Sequence, residues 1–303
     1  MISSKIRRYA IYFINFALFI ALVIYSQRYG SVLFENLKTT NLNLIIIAFI
    51  FQFIILYLAP LKWNALLRKF NKTVKIKRTF LVYNASGIYK YIPPKGINYL
   101  MRLSFLKKEK LKGKITSIFG EFYTEIFIGA LSSVILVLLY ISLDVKFTVL
   151  VYLIMLLLII GTVKPKLVLI IPNLLRLKLN KLRKLINNFS SLTYSLHYIY
   201  ALIITFITAF LHGTTFYLIN QSFGFTNLDL FRAIIIFYSA YFLSLLSFAP
   251  AGIGTRDISI VGLLMLIGYG PADAATVSLM SRVIIFIPEV IVGLISLYFV
   301  KKK

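Results

Sequence analysis

Runs of about 20 apolar residues, separated by short loops crowded with lysine and arginine, constrain this chain more than any other feature. Eight runs qualify as bilayer-spanning helices, at about 9–26, 42–60, 115–142, 147–163, 192–219, 229–249, 252–270 and 273–300. A ninth apolar stretch, 79–100, is interrupted by Gly87, Pro93, Pro94 and Gly96 and carries Lys90 and Lys95. Backbone freed by proline and glycine must find partners inside protein when water is absent, so this stretch reads as a re-entrant broken helix. The fold class expected is all-α, a polytopic integral membrane bundle of about 8 spanning helices plus that re-entrant element.

Composition agrees. The chain has 303 residues, of which 60% are hydrophobic and 14% charged, whereas soluble domains run at about 45–50% and about 25%. The formal net charge of +25 in isolation suggests an acidic partner, nucleic acid among them. Placement removes that reading. Of the 34 Lys and Arg, 26 fall in the N-terminal tail, the segments 61–78, 102–114 and 164–184, and the last three residues. The opposite loops hold only Arg28, Lys38 and Lys146. If 79–100 enters and leaves on one side, all basic loops share one face. The positive-inside rule then places both termini in the cytoplasm and the protein in the cell membrane. Segment 164–191 reads as a basic amphipathic surface segment, with Leu174, Leu175, Leu177, Leu179, Leu182, Leu185 and Ile186 among its charges. The first apolar run lacks a small-residue cleavage site and reads as a retained helix. No cysteine is present, which excludes disulfides and thiolate chemistry. The whole chain, 1–303, reads as one transmembrane domain.

Inside membrane spans the informative residues are ionisable groups and helix breakers. Two regions concentrate them. One runs from Asn84 through Gly87, Lys90, Pro93, Pro94, Lys95 and Gly96 to Arg102, followed by Glu121 and Glu125. The other runs from Ser247 through Pro250, Ala251, Gly252, Gly254, Arg256 and Asp257, followed by Arg282 and Glu289. Both contain Pro-x-Gly-Ile, at Pro94–Ile97 and Pro250–Ile253. The shared context reads as an internal repeat with halves of about 42–163 and 192–300, an arrangement common in transporters.

Two readings stand at each break. A helix that begins after Gly96 or Gly252 points free N–H groups and partial positive charge at an anion, with Arg102 or Arg256 adding a planar fork. Alternatively these are tight turns whose arginines reach out to headgroups. Glu121 and Glu125 are four residues apart and share a helix face. Glu125 lies about 16 Å along its helix from Lys114, and Glu289 about 18 Å from Lys301, so both sit deep. A charge there must be neutralised or paired, and Arg256, Arg282, Lys90 and Arg232 are the partners in reach. The carboxylates then either line a headgroup cavity or pin helices together. His197 and His212 share one span without a carboxylate neighbour, which points to helix–helix hydrogen bonding and not to a metal. Tyr9, Tyr25, Tyr140, Trp63 and Tyr298 suit interface anchoring, and Gly262, Gly268, Gly270 and Gly293 suit close helix packing. Phosphate-binding P-loops, zinc-protease motifs and serine elbows are absent, and no cofactor is expected.

Gly87-x5-Pro93-Pro94-Lys95-Gly96-x5-Arg102, the Glu121–Glu125 helix and Pro250-Ala-Gly-Ile-Gly-Thr-Arg-Asp257 resemble the flippase-like, lysylphosphatidylglycerol synthase transmembrane-region family. Ala251 stands where that family more usually has Gly, and Asp257 where it more usually has Glu. The resemblance spans nearly the whole chain and implies the membrane module alone, without the soluble domain that makes aminoacylated lipid. It implies a lipid translocase that takes a phospholipid or glycolipid headgroup into a polar intramembrane cavity. Lys95, Gly96, Arg102, Glu121, Glu125, Pro250, Gly252, Gly254, Arg256, Asp257, Arg282 and Glu289 are the candidate headgroup-binding residues. Expected partners are membrane lipids (anionic phospholipid or polyprenyl-linked glycolipid) and a lipid synthase or glycosyltransferase. Two further readings are a membrane-embedded lipid-modifying transferase, with Glu121, Glu125 or Asp257 as base, and an accessory subunit of such a synthase.

Overall fold

A computed structural model describes residues 35–71, 74–107, 113–140, 180–247 and 249–302. The described residues form nine α-helices: α1 (Leu42–Arg68), α2 (Ile76–Gly87), α3 (Ile97–Phe105), α4 (Lys114–Tyr140), α5 (Asn180–Thr193), α6 (Leu196–Ser222), α7 (Leu230–Leu246), α8 (Thr255–Leu266) and α9 (Pro271–Lys301). The protein is an all-α, multi-pass membrane protein. Four helices, α1, α4, α6 and α9, are long and apolar enough to cross a bilayer. At 1.5 Å per residue the 27 residues of α1 extend about 40 Å, more than the roughly 30 Å hydrocarbon core.

Helix ends follow local chemistry. Asn41 caps α1 by accepting from the Asn43 N–H, and Asp229 caps α7 by accepting from the Arg232 N–H at 2.8 Å. Pro271 opens α9, where its missing N–H costs nothing. The lipid-facing sides of the long helices carry large apolar residues at helical spacing, such as Ile46, Ile50, Phe53 and Tyr57 on α1 and Ile287, Ile291, Leu294 and Tyr298 on α9. The buried sides are the more polar ones, holding Gln52, Lys62, Asn64, Thr205 and Ser281.

The expected break at 79–100 is present. α2 ends at Gly87, a 3₁₀ turn covers Ile88–Tyr91, the Pro93–Pro94 peptide is cis, and α3 starts after Gly96 in left-handed conformation (φ 91°). None of these pieces is long enough to cross. The expected span over 252–270 is corrected: α8 has 12 residues, about 18 Å, because Pro250–Gly252 forms a 3₁₀ turn and Gly268 ends the helix at φ 93°. α7, with 17 residues, is at the lower limit for a span. The expected spans 9–26 and 147–163 lie outside the described residues, as does most of the basic 164–184 segment; α5 covers its end, with Phe189 and Leu192 packed against Leu66 and Tyr198.

The packing has a plain order. α1–α4 and α6–α9 each run long helix, short helix, Pro-Gly break, short helix, long helix. The long helices α1 and α6 form the most extensive contact in the bundle. They are antiparallel: the Asn41 N–H at the start of α1 donates to the Ser222 carbonyl at the end of α6, while Arg68 and His197 lie together at the other end. α2 packs on α9 and α7 packs on α4. A side chain at Gly293 would strike Ile88, and one at Gly129 would strike Phe242. Gly293 thus acts as the expected packing glycine. Among the described residues Gly262 and Gly268 have nothing near them and Gly270 meets Asp273, so none of the described helices packs on them. Trp63 is fully buried, its indole N–H donating to Ser117 at 3.0 Å, and is not an interface anchor.

Candidate functional site

A cavity of about 240 Å³ lies where the two broken segments meet the long helices. α1 and α6 supply apolar wall from Ile55, Leu56 and Ala59 and the polar groups Gln52, Lys62, Thr205, Thr208 and His212. α2, α4 and α9 supply carboxylates and phenols, and the Pro250–Gly252 turn with α8 supplies Gly252 and Arg256. The elements come from both ends of the sequence, which is why no single segment shows the site.

Charges in this cavity are paired one by one. Arg102 Nη1 lies 2.5 Å from Glu121 Oε2, and the Tyr83 hydroxyl donates to Glu121 Oε1 at 2.7 Å. The Arg102 guanidinium is 2% exposed and sits over the rings of Tyr83, Trp63 and Tyr99 at 4.1, 4.8 and 5.5 Å. Lys62 Nζ donates to Glu125 Oε1 at 2.7 Å, and the Tyr241 hydroxyl donates to Glu125 Oε2 at 2.8 Å. Lys90 Nζ donates to Glu289 Oε1 at 2.7 Å, and the Tyr91 hydroxyl donates to Glu289 Oε2. Lys62 Nζ also lies 4.0 Å from Glu121 Oε1, so each carboxylate has at least one cation and one phenol, the arrangement that makes a desolvated charge tolerable.

Two cations lack a carboxylate. Lys95 Nζ donates to the carbonyls of Ser244, Leu245 and Ser247, each at 2.7 Å, and so closes the open end of α7 with a residue from the other broken segment. Arg256, 8% exposed, has no hydrogen-bond partner at Nε among the described residues and sits over the Phe237 ring, 5.7 Å from its centroid. The adjacent Asp257 turns its oxygens to other donors. Arg282 holds Asp257 through two bonds, Nε to Oδ1 at 2.8 Å and Nη2 to Oδ2 at 2.6 Å, and the Gly254 N–H donates to Oδ2 at 3.0 Å. Asp257 thereby caps α8 and ties it to α9.

Of the residues read from the sequence as headgroup-binding, the cavity is lined by Lys95, Gly96, Arg102, Glu121, Glu125, Gly252, Arg256 and Glu289. Pro250, Gly254, Asp257 and Arg282 are behind it, shaping the second break. Among the expected ion-pair partners, Lys90 reaches Glu289 as anticipated. Arg282 goes to Asp257, and Arg232 to Asp229 at the membrane edge at 3.1 Å. Lys62, assigned to a basic loop, is the missed partner of Glu125. The phenols of Tyr83, Tyr91 and Tyr241 were also missed; aromatic residues next to the two breaks were the available hint. His212 stacks on Phe237 at 5.3 Å and its Nδ1 has no partner, so the expected helix–helix hydrogen bond is not made at that nitrogen. Among the described residues no cluster suits a metal.

Comparison with known families settles what kind of module this is. The family model of the lysylphosphatidylglycerol synthase TM region matches residues 9–293. The chain belongs to that family. The matched region takes in both broken segments, all three cavity carboxylates and both uncompensated cations. Comparisons with curated proteins and with solved structures give no match.

Proposed function

We propose that this member of the lysylphosphatidylglycerol synthase TM-region family is a flippase-like transporter of the cell membrane, with cytoplasmic termini. It takes a phospholipid or glycolipid headgroup into the cavity and leaves the acyl chains in lipid. The observation that carries this reading is Arg256: a buried guanidinium, facing a cavity, with no acceptor at Nε. Buried polar groups are nearly always satisfied, and an orphan calls for a ligand. The Gln52 amide and His212 Nδ1, also without partners, face the same space. A phosphate answers the arginine, and glycerol or sugar hydroxyls answer the amide and the imidazole. The carboxylates are all held by cations and phenols, which favours binding over proton abstraction and so favours a transporter over a transferase.

The two halves α1–α4 and α6–α9 behave in this reading as inverted repeats. Their element order is the same, their leading helices are antiparallel, and the sequences Glu125-Ile-Phe-Ile-Gly129 and Glu289-Val-Ile-Val-Gly293 occupy like places, each glycine packed on the short helix of the other half. Such pairs support alternating access by rocking around a central site. The partners in this reading are membrane lipids and, through the basic cytoplasmic loops, a lipid synthase or glycosyltransferase.

Reconstitution into vesicles with fluorescent lipids tests the proposal. Transbilayer movement is expected for the native chain, and a drop of at least tenfold for Arg256→Ala. Unchanged movement in that variant would remove Arg256 from the site. No movement across a panel of lipids would remove the transporter reading.

A further inference from the structure

The cavity holds five cations, Lys62, Lys90, Lys95, Arg102 and Arg256, and three carboxylates, Glu121, Glu125 and Glu289. Three cations are cancelled by the three carboxylates at 2.5–2.7 Å. Lys95 and Arg256 remain. Carbonyl dipoles solvate Lys95 without cancelling its charge. The C-terminal end of α7 offsets about half an elementary charge near Lys95, and the N-terminal end of α8, where Arg256 sits, adds about the same amount back. Asp257, the one carboxylate next in sequence to Arg256, is turned away by Arg282 and the Gly254 N–H. Both line the same cavity, and between them a Cβ on Gly252 would meet Ser244, whose carbonyl holds Lys95, and Arg256 Cβ.

We infer that the cavity selects a lipid whose headgroup is a phosphomonoester or a diphosphate, with about two negative charges, and rejects a cationic headgroup. The inference rests on the headgroup-binding reading above and adds the charge of the ligand to it. Uncompensated charge inside a membrane is unfavourable, so the ligand that enters best brings what is missing. A phosphodiester supplies one negative charge and leaves one cation over. A zwitterion supplies none in sum. A headgroup with a free amine adds like charge where none is balanced. The guanidinium fork of Arg256 fits two phosphate oxygens at once, and the Gly252 backbone, with no side chain in the way, lets a phosphate approach it. The neutral orphans, Gln52 and His212 Nδ1, are left to whatever the phosphate carries.

Native mass spectrometry of the purified full chain in detergent, with short-chain competitors, measures this. The probes are dihexanoyl phosphatidic acid, farnesyl diphosphate, dihexanoyl phosphatidylglycerol, dihexanoyl phosphatidylcholine, its cationic O-ethyl ester, and inorganic pyrophosphate. The first two are expected to bind at least tenfold tighter than phosphatidylcholine, phosphatidylglycerol to fall between, and the cationic ester to bind weakest. Arg256→Gln is expected to shrink that spread to about threefold or less, and Arg256→Lys to keep most of it, which separates lost charge from a damaged fold. Equal binding of all lipids, or tightest binding of the cationic ester, overturns the charge selection and leaves the headgroup cavity standing. Pyrophosphate binding as tightly as farnesyl diphosphate overturns the lipid ligand in favour of a soluble anion. No competition by any probe overturns both readings together.

Discussion

Arg282 holds Asp257 in a two-pronged grip, Nε to Oδ1 at 2.8 Å and Nη2 to Oδ2 at 2.6 Å, across 25 residues of sequence. The pair ties the start of α8 to the middle of α9 and keeps the only adjacent carboxylate away from Arg256. Breaking one half of a buried ion pair leaves the other half uncompensated, at a cost of about 3–5 kcal/mol. Arg282→Gln is therefore expected to lower the thermal midpoint in detergent strongly. Asp257→Asn combined with Arg282→Gln is expected to recover much of the loss, because no lone charge remains. A double variant no more stable than Arg282→Gln would show that the pair is not what holds α8 in place.

Gly129 and Gly293 let the two halves approach closely. A Cβ at Gly293 would lie 2.4 Å from Ile88 Cγ1 and 3.1 Å from the Asn84 carbonyl, and one at Gly129 would lie 2.8 Å from Phe242 Cβ. Overpacking of this kind costs about 1–3 kcal/mol. Gly293→Val and Gly129→Val are each expected to destabilise by about that amount, whereas Gly262→Val, with open space around it among the described residues, is expected to change little. Unfolding midpoints measured side by side decide the point. An effect at Gly262 equal to that at Gly293 would contradict the packing described.

Ala251 sits in the left-handed region, φ 50° and ψ 17°, inside the turn Pro250–Gly252. A residue with a Cβ pays about 1–2 kcal/mol for that conformation, which glycine adopts freely. Ala251→Gly is expected to stabilise the chain by up to about 1 kcal/mol, part of the gain being lost to the freer unfolded state. Ala251→Val is expected to destabilise it. The resemblance to a family that more usually has Gly at this place agrees with the direction. A destabilised Ala251→Gly variant would mean that the Ala251 methyl group makes contacts outweighing its backbone strain.

Both breaks were legible in the sequence, because proline and glycine act on their own backbone: Pro93–Gly96 and Pro250–Gly254 interrupt the helices where expected. So was the need for the deep carboxylates to be paired, since it follows from depth alone. The partners were less legible. Lys62 falls just past an apolar run that seemed to end at residue 60, yet α1 continues to Arg68 and buries Lys62 against Glu125. Arg282 was one of several cations in reach of the deep carboxylates but is captured by Asp257, whose position at the start of α8 depends on a turn that hydropathy does not register. Hydropathy also overstated 252–270, because it registers the apolar content of that stretch and not the breaks that limit α8 to 12 residues. Pairings across about 200 residues, such as Tyr91 with Glu289, become visible only once the two halves are laid against each other.

The inverted arrangement of the halves predicts opposite exposure for their connecting loops. Lys77, at the start of α2, and Asn227, before α7, are both exposed and hold like places in the two halves. On the proposed topology, with the basic loops in the cytoplasm, the first broken segment is expected to open from the cytoplasmic face and the second from the outer face, because α1 and α6 run in opposite directions. The chain has no cysteine, so single substitutions can be read without background. In intact cells a membrane-impermeant maleimide is expected to label Asn227→Cys, and to label Lys77→Cys only after permeabilisation. Labelling of both from outside, or of neither before permeabilisation, would put the two loops on one face and end the inverted-repeat reading. It would also contradict the antiparallel contact of α1 with α6, because Lys77 follows the end of α1 and Asn227 the end of α6.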